Sequence, residues 1–340
     1  MGRAARLALA VLLALPFVSG AASMMLTTAF LVEFLGQGRW RPLSALTYEP
    51  VVRPMTAAAR QRPVAVDLYV SGALLRPPPL VLVHGLSPEG KDEPRLRAAA
   101  ALLARAGWAV AVPTVDGLTV LRLRPEDATA VSATVAALHD AGYHPVAVLG
   151  VSLGAGPALL AAGQPDAAPR ISAVLALGGY ASAVELLRYT LTGAYAYGAI
   201  SGRRAVLEPA ITTFARANTE LVDEPGRRLV DNRDPAGFDA LVRALPQRTR
   251  DLLDALSPGE TLGSLRAPLF LIHGRQDPAV PFTESLRLEA AARAAGRPVR
   301  TAIVGAVGHV EAGRRAELAD LLRLWATFYA FSLTAQRAPD

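Results

Sequence analysis

Gly150-Val151-Ser152-Leu153-Gly154 places a serine between two glycines, directly after the apolar run Val146 to Leu149 and before a helix-forming stretch. A serine hydroxyl is a weak nucleophile near neutral pH and needs an adjacent base, itself oriented by a third group. His309, in Gly305-Ala306-Val307-Gly308-His309, is the best-placed base, on a glycine-flanked loop after the last apolar run. Asp277, in His273-Gly274-Arg275-Gln276-Asp277-Pro278-Ala279-Val280-Pro281, follows the run before it and is the candidate acid. His139 and His144 flank Val146 to Leu149 at the far end from Ser152, the wrong edge for catalysis, and are expected at the surface. His84 and His273 are expected to brace loops rather than move protons.

The glycines have a physical purpose. A nucleophile at a strand end must sit on a tight, strained turn, and Gly150 and Gly154 remove side chains that would meet the neighbouring strand and helix. The following helix directs its N-terminal amides, that of Leu153 included, at any oxyanion formed near Ser152. Pro157 falls in the first turn, where its missing N–H costs little.

The elements that carry these residues follow from periodicity. Val64 to Val70 alternates as a strand; Leu80 to Val83, Ala109 to Val112, Val146 to Leu149, Ala173 to Leu177, Leu269 to Ile272 and Arg300 to Val304 are short and apolar. Helices are expected over Arg95 to Ala106, Pro125 to Ala141, Gly154 to Ala162, Thr283 to Ala295 and Arg314 to Phe331. Strands alternating with helices imply a mostly parallel sheet covered on both faces. The rhythm breaks between residues 181 and 265. Helix-like stretches around Val184 to Leu191, Glu208 to Ala217 and Phe238 to Leu245 suggest a lid-like insertion there, or a helical embellishment without a substrate role.

On the elbow at Gly150 to Gly154, His84-Gly85, His273 to Pro281 and Gly308-His309, the chain resembles the α/β-hydrolase superfamily, most closely its dienelactone-hydrolase and prolyl-oligopeptidase types. The resemblance covers roughly Val64 to Phe331. It implies an α/β-hydrolase fold with a mainly parallel eight-stranded sheet, an acyl-serine intermediate, and a second oxyanion donor in the backbone N–H of Leu86. Dienelactone hydrolases often use cysteine, and this chain has serine. Hydrolysis of an ester is the leading expectation, because an unspecialised site meets its lowest barrier there. Peptide hydrolysis is the runner-up, followed by thioesterase or acyltransferase chemistry on the same triad. A non-catalytic binding protein on a hydrolase scaffold is the reading from another class.

The rest of the chain sets bounds. There is no cysteine, which excludes disulfides and thiolate chemistry, and no His–carboxylate cluster has metal-ligand spacing, so neither metal nor cofactor is expected. The net charge of +6 is carried by scattered arginines, with Lys91 the single lysine, so no nucleic-acid partner is expected; the partner is a small acyl substrate. Arg3 and Arg6 precede an uncharged stretch from Leu7 to Val32, which as a helix would extend about 39 Å. It is expected to anchor the chain in a membrane with the catalytic domain outside the cytoplasm. A signal peptide cleaved near Ser19-Gly20-Ala21, giving a secreted protein, is the competitor. The expected layout is an N-terminal hydrophobic helix over residues 1–35, a linker over 36–63, the hydrolase domain over 64–331 with its insertion at 181–265, and a tail over 332–340.

Overall fold

The computed structural model describes residues 21–336, apart from 37–38, 60–61, 73–76, 207, 218–222 and 310–316. An eight-stranded sheet runs through it, formed by β1 (Val51–Ala57), β2 (Val64–Val70), β3 (Pro79–Val83), β4 (Ala109–Pro113), β5 (Val146–Val151), β6 (Ile171–Leu177), β9 (Leu269–Gly274) and β10 (Val299–Val304). Its spatial order is β1-β2-β4-β3-β5-β6-β9-β10. β2 lies antiparallel to both β1 and β4, and every other pairing is parallel. β3 and β4 are buried at every residue, which is why their sequences are unbroken apolar runs rather than alternating ones.

Successive residues of each central strand serve opposite faces. Val81, Val83 and Val148 point to the side covered by α5 (Asp127–Asp140), α6 (Ala155–Ala162) and α12 (Thr283–Ala294). Leu80, Leu82 and Leu149 point to the side covered by α3 (Pro94–Arg105) and α13 (Leu318–Ala335). The expected start of the last helix at Arg314 lies outside the described residues; α13 continues past the fully buried Phe331 to Ala335, whose carbonyl accepts from Ser172 Oγ.

Residues 36–63 differ from the expected linker. They contain α2 (Pro42–Leu46) and β1, which adds an edge strand in full register with β2. β1 carries an interior proline and is mostly exposed, so its sequence lacks the buried-strand signal.

The expected N-terminal helix is only partly within the described residues, since 1–20 fall outside them. Residues 21–35 form α1, which packs on the domain instead of standing apart. Phe30 is buried and stacks on Phe328 with ring centroids 4.9 Å apart, and Trp325 Nε1 donates to Thr28 Oγ1. The buried Glu33 carboxylate accepts from the backbone N–H groups of Leu43 and Ser44 at the start of α2. Among the described residues no helix is long and apolar enough to cross a membrane.

Between β6 and β9 the insertion holds α7 (Ala183–Thr192), the hairpin β7 (Ala194–Tyr197) and β8 (Ile200–Arg203), then α8 (Glu208–Ala217), α9 (Glu224–Asp231), α10 (Phe238–Ala244) and α11 (Gln247–Ala255). It builds a small core of its own from Leu187, Leu191, Ile211, Leu229, Phe238 and Leu245. A buried carboxylate fixes its entry: Glu284 accepts from the N–H groups of Ala181 and Ser182.

Candidate active site

The C-terminal ends of β3, β5, β9 and β10 converge, and each supplies one part of the site. β5 ends at Val151, after which Ser152 has φ +54°, a conformation that a non-glycine residue holds only where its surroundings enforce it. The enforcement is steric. A Cβ on Gly150 would lie 2.5 Å from Ala155 Cα, and one on Gly154 would collide with the His84 carbonyl oxygen. With neither present, α6 starts directly behind the nucleophile and the end of β3 passes across it.

The three groups form one hydrogen-bonded chain. Ser152 Oγ donates to His309 Nε2 at 2.6 Å, and His309 Nδ1 donates to Asp277 Oδ2 at 2.6 Å. Asp277 is fully buried at its side chain, and Oδ1 accepts from the N–H groups of Ala279 and Val280 at 2.8 and 2.9 Å. Burial works against its charge, but the hydrogen bonds from His273 and His309, with their electrostatic attraction, outweigh it and hold the carboxyl down at about 2. An ionised Asp277 is therefore present to hold the Nδ1–H tautomer of His309, which leaves Nε2 free to take the serine proton.

His84 and His273 are both buried and both brace loops. His84 Nε2 accepts from the Val115 N–H at 3.0 Å, so its proton lies on Nδ1, which donates to the Gly85 carbonyl at 2.7 Å. Burial pushes the His84 pKa down, keeping the ring neutral. It thereby holds the turn that leads into Leu86. A Cβ on Gly85 would lie 3.2 Å from Ser152 Cβ, so this turn passes directly beside the nucleophile. Leu86 and Leu153 thus flank Ser152 from two different elements. His273 Nε2 donates to Val280 O at 3.0 Å and lies 3.4 Å from Asp277 Oδ2, while its Nδ1 accepts from Ser285 Oγ. It supports the acid directly, a closer part than loop bracing; its spacing four residues before Asp277 was the available signal.

Two residues of the insertion that sequence reasoning did not single out for the site hold the acid loop from outside. The Arg204 guanidinium donates to the carbonyls of Arg275, Gln276 and Asp277, and Tyr189 OH donates to Pro278 O at 3.0 Å. No local pattern marks them, because their partners lie more than 70 residues away. His139 and His144 lie near one another, their rings tilted with centroids 5.4 Å apart, beside the opposite end of β5.

A cavity of about 1470 Å³ opens at Ser152 and His309. It is roofed by α7 and α11 of the insertion and extends along α3 to α1.

The fold is shared with solved structures of low identity. The chain aligns with a Mycobacterium tuberculosis puromycin-hydrolyzing peptidase at TM-score 0.56 and 17% identity, over 84% of this chain and 40% of that one. It aligns with an uncomplexed Pyrococcus horikoshii acylaminoacyl peptidase at TM-score 0.58 and 17% identity, over 88% and 44%. The chain thus spans about two fifths of the length of these proteins. No curated protein sequence matches it. These likenesses show the fold, an α/β-hydrolase-like arrangement with a mostly parallel eight-stranded sheet and flanking helices. Within the chain, residues 243–335, which carry the acid and the base, match the model of the prolyl oligopeptidase family, Peptidase_S9.

Proposed function

We propose that this protein hydrolyses a carboxylic acyl substrate through a covalent acyl-Ser152 intermediate. The observation that carries this is the unbroken chain Ser152 Oγ, His309 Nε2, His309 Nδ1, Asp277 Oδ2, with 2.6 Å at each hydrogen bond. As Oγ attacks the acyl carbon, its proton passes to Nε2 and the carbonyl electrons move to oxygen. The backbone N–H groups of Leu86 and Leu153 take that oxyanion. When the carbonyl re-forms, the bond to the leaving group breaks and His309 returns the proton to it. Water then repeats the two steps on the acyl-enzyme, freeing the acid and Ser152.

The bond cleaved is either an ester or an amide. An ester has the lower intrinsic barrier. The match of residues 243–335 to the prolyl oligopeptidase family, and the peptidases among the structural neighbours, favour the amide. Fluorophosphonate labelling of wild type beside folded Ser152→Ala and His309→Ala proteins tests the nucleophile, and an ester and a peptide amide of one acyl group then rank the bonds. Labelling that survives in Ser152→Ala would sink the assignment.

We also propose that the domain acts outside the cytoplasm. With α1 packed on the domain through Phe30 and Phe328, the apolar run left ahead of it is Leu7 to Gly20, fourteen residues. That suits a signal-peptide core better than a bilayer span. N-terminal sequencing of the mature chain decides: a start near Ala21 supports export with cleavage, and an intact Met1 in the membrane fraction restores the anchor.

A further inference from the structure

The cavity at Ser152 has two unlike halves. Among the described residues, the part of the lining contributed by residues 177–280 is apolar except for Tyr189 and three threonines. Every lysine, arginine, aspartate or glutamate in the lining lies between Glu33 and Arg105. The apolar half begins at the nucleophile itself. Leu153 packs against the cluster of Leu186, Leu256 and Val280, as Leu252 and Leu253 do, so the residue that offers an oxyanion N–H also forms the floor beneath α7 and α11.

The polar groups of that half are largely spent. Tyr189 OH is committed to Pro278 O, and Thr190 Oγ1 donates back to Leu186 O. An extended peptide lying there would bury a carbonyl and an N–H at each residue with few partners. A free α-ammonium would find no carboxylate in the lining of that half. An aliphatic chain needs none. The volume of about 1470 Å³ exceeds the roughly 300–1,000 Å³ of an ordinary small-molecule site, so a short acyl group would leave most of the space unfilled.

From this we propose that the apolar half, roofed by α7 and α11, binds an aliphatic acyl chain of roughly eight carbons or more. The charged half toward α3 and α1 receives the polar remainder of the substrate. This inference rests on the hydrolase reading of Ser152, and it holds whether the leaving group departs from an ester or an amide.

The test uses p-nitrophenyl acetate, butanoate, octanoate and dodecanoate below their micelle concentrations, with fluorophosphonate labelling of Ser152 run in parallel. Each methylene that enters the apolar half raises kcat/KM by about fourfold, so octanoate exceeds butanoate by on the order of a hundredfold. Leu252→Trp, which fills the apolar half from the α11 roof, lowers the dodecanoate-to-acetate ratio at least about tenfold. If that variant does not fold, protection of wild-type Ser152 from the probe by sodium dodecanoate supports the pocket, and no protection up to its solubility limit overturns it. A flat chain-length profile with labelling intact overturns the acyl site and leaves the hydrolase standing. A folded wild type that neither labels nor turns over any of the esters overturns the hydrolase reading, and the acyl site with it.

Discussion

Arg204, in the insertion between β6 and β9, donates from Nη1 to the carbonyl oxygen of Asp277 at 2.6 Å and to that of Gln276 at 2.8 Å. The insertion and the loop that carries Asp277 are therefore joined. A planar guanidinium can meet successive carbonyls at fixed angles, which a lysine ammonium cannot. The carboxylate of Asp277 sits one residue's geometry away from that clamp, and His309 is oriented by the carboxylate.

Removing the clamp should loosen the acid rather than remove substrate contacts. Arg204→Ala is expected to lower kcat by roughly ten- to a hundredfold with a smaller change in KM, and Arg204→Lys to restore little. Steady-state kinetics on a single ester, with circular dichroism to verify folding, measures this. An unchanged kcat would mean that Tyr189 and the Asp277 hydrogen bonds to Ala279 and Val280 hold the loop by themselves.

Asp277→Asn tests the tautomer. An amide can donate to Nδ1, and the His309 proton then moves to Nε2, where it cannot accept from Ser152. A loss on the order of 10⁴ in kcat is expected with the fold retained. In the wild type, Asp277 is ionised above about pH 2, so its titration does not shape the acid limb of kcat/KM. The sign for stability is the usual carboxylate one. The depressed carboxyl contributes stability above its unfolded value near 3.8, and that contribution is lost as pH falls toward 2.

His84→Ala leaves the Val115 N–H without its acceptor and frees the Gly85 carbonyl. We expect a stability loss of roughly 1–3 kcal/mol from the orphaned buried donor. The rate of fluorophosphonate labelling should also fall, because the turn into Leu86 no longer has its brace. Wild-type labelling in a folded variant would separate His84 from the oxyanion site.

Asp127 gives a second pH signature, unrelated to catalysis. Burial pushes its carboxyl up to about 6, against hydrogen bonds from the N–H groups of Gly117 and Arg124. The folded protein holds this proton up to about pH 6, whereas the unfolded chain releases it near 3.8. Unfolding therefore releases a proton between these values, and the contribution of this group to stability falls as pH rises through that window. Tm of wild type relative to Asp127→Asn should fall between pH 4 and pH 6. His84, whose lowered pKa acts in the opposite direction, is common to both proteins and cancels in the difference.

The elbow at Ser152 was legible because everything it needs is local: a buried strand, two glycines and a helix within about 20 residues of sequence. The same holds for the central strands, whose burial on both faces writes an unbroken apolar run. His309 and Asp277 could be chosen by their positions after the last two strands, since parallel strands deliver their C-terminal ends to one edge. That β1 is a strand could not be read, because an exposed edge imposes no hydrophobic pattern.

What the sequence alone determined was therefore the succession of the central strands and their helices, the candidate nucleophile, and its two candidate partners at matching strand ends. The tertiary structure decided the rest. It brought Arg204 and Tyr189 onto the acid loop, placed His273 beside Asp277 and packed Phe30 on Phe328. It also joined α7 and α11 into the apolar roof beside Leu153. Local pattern encodes which face of an element is buried, because burial constrains every second or every third to fourth residue. It does not encode which distant element covers that face, because many apolar surfaces satisfy the same pattern equally and only packing selects among them.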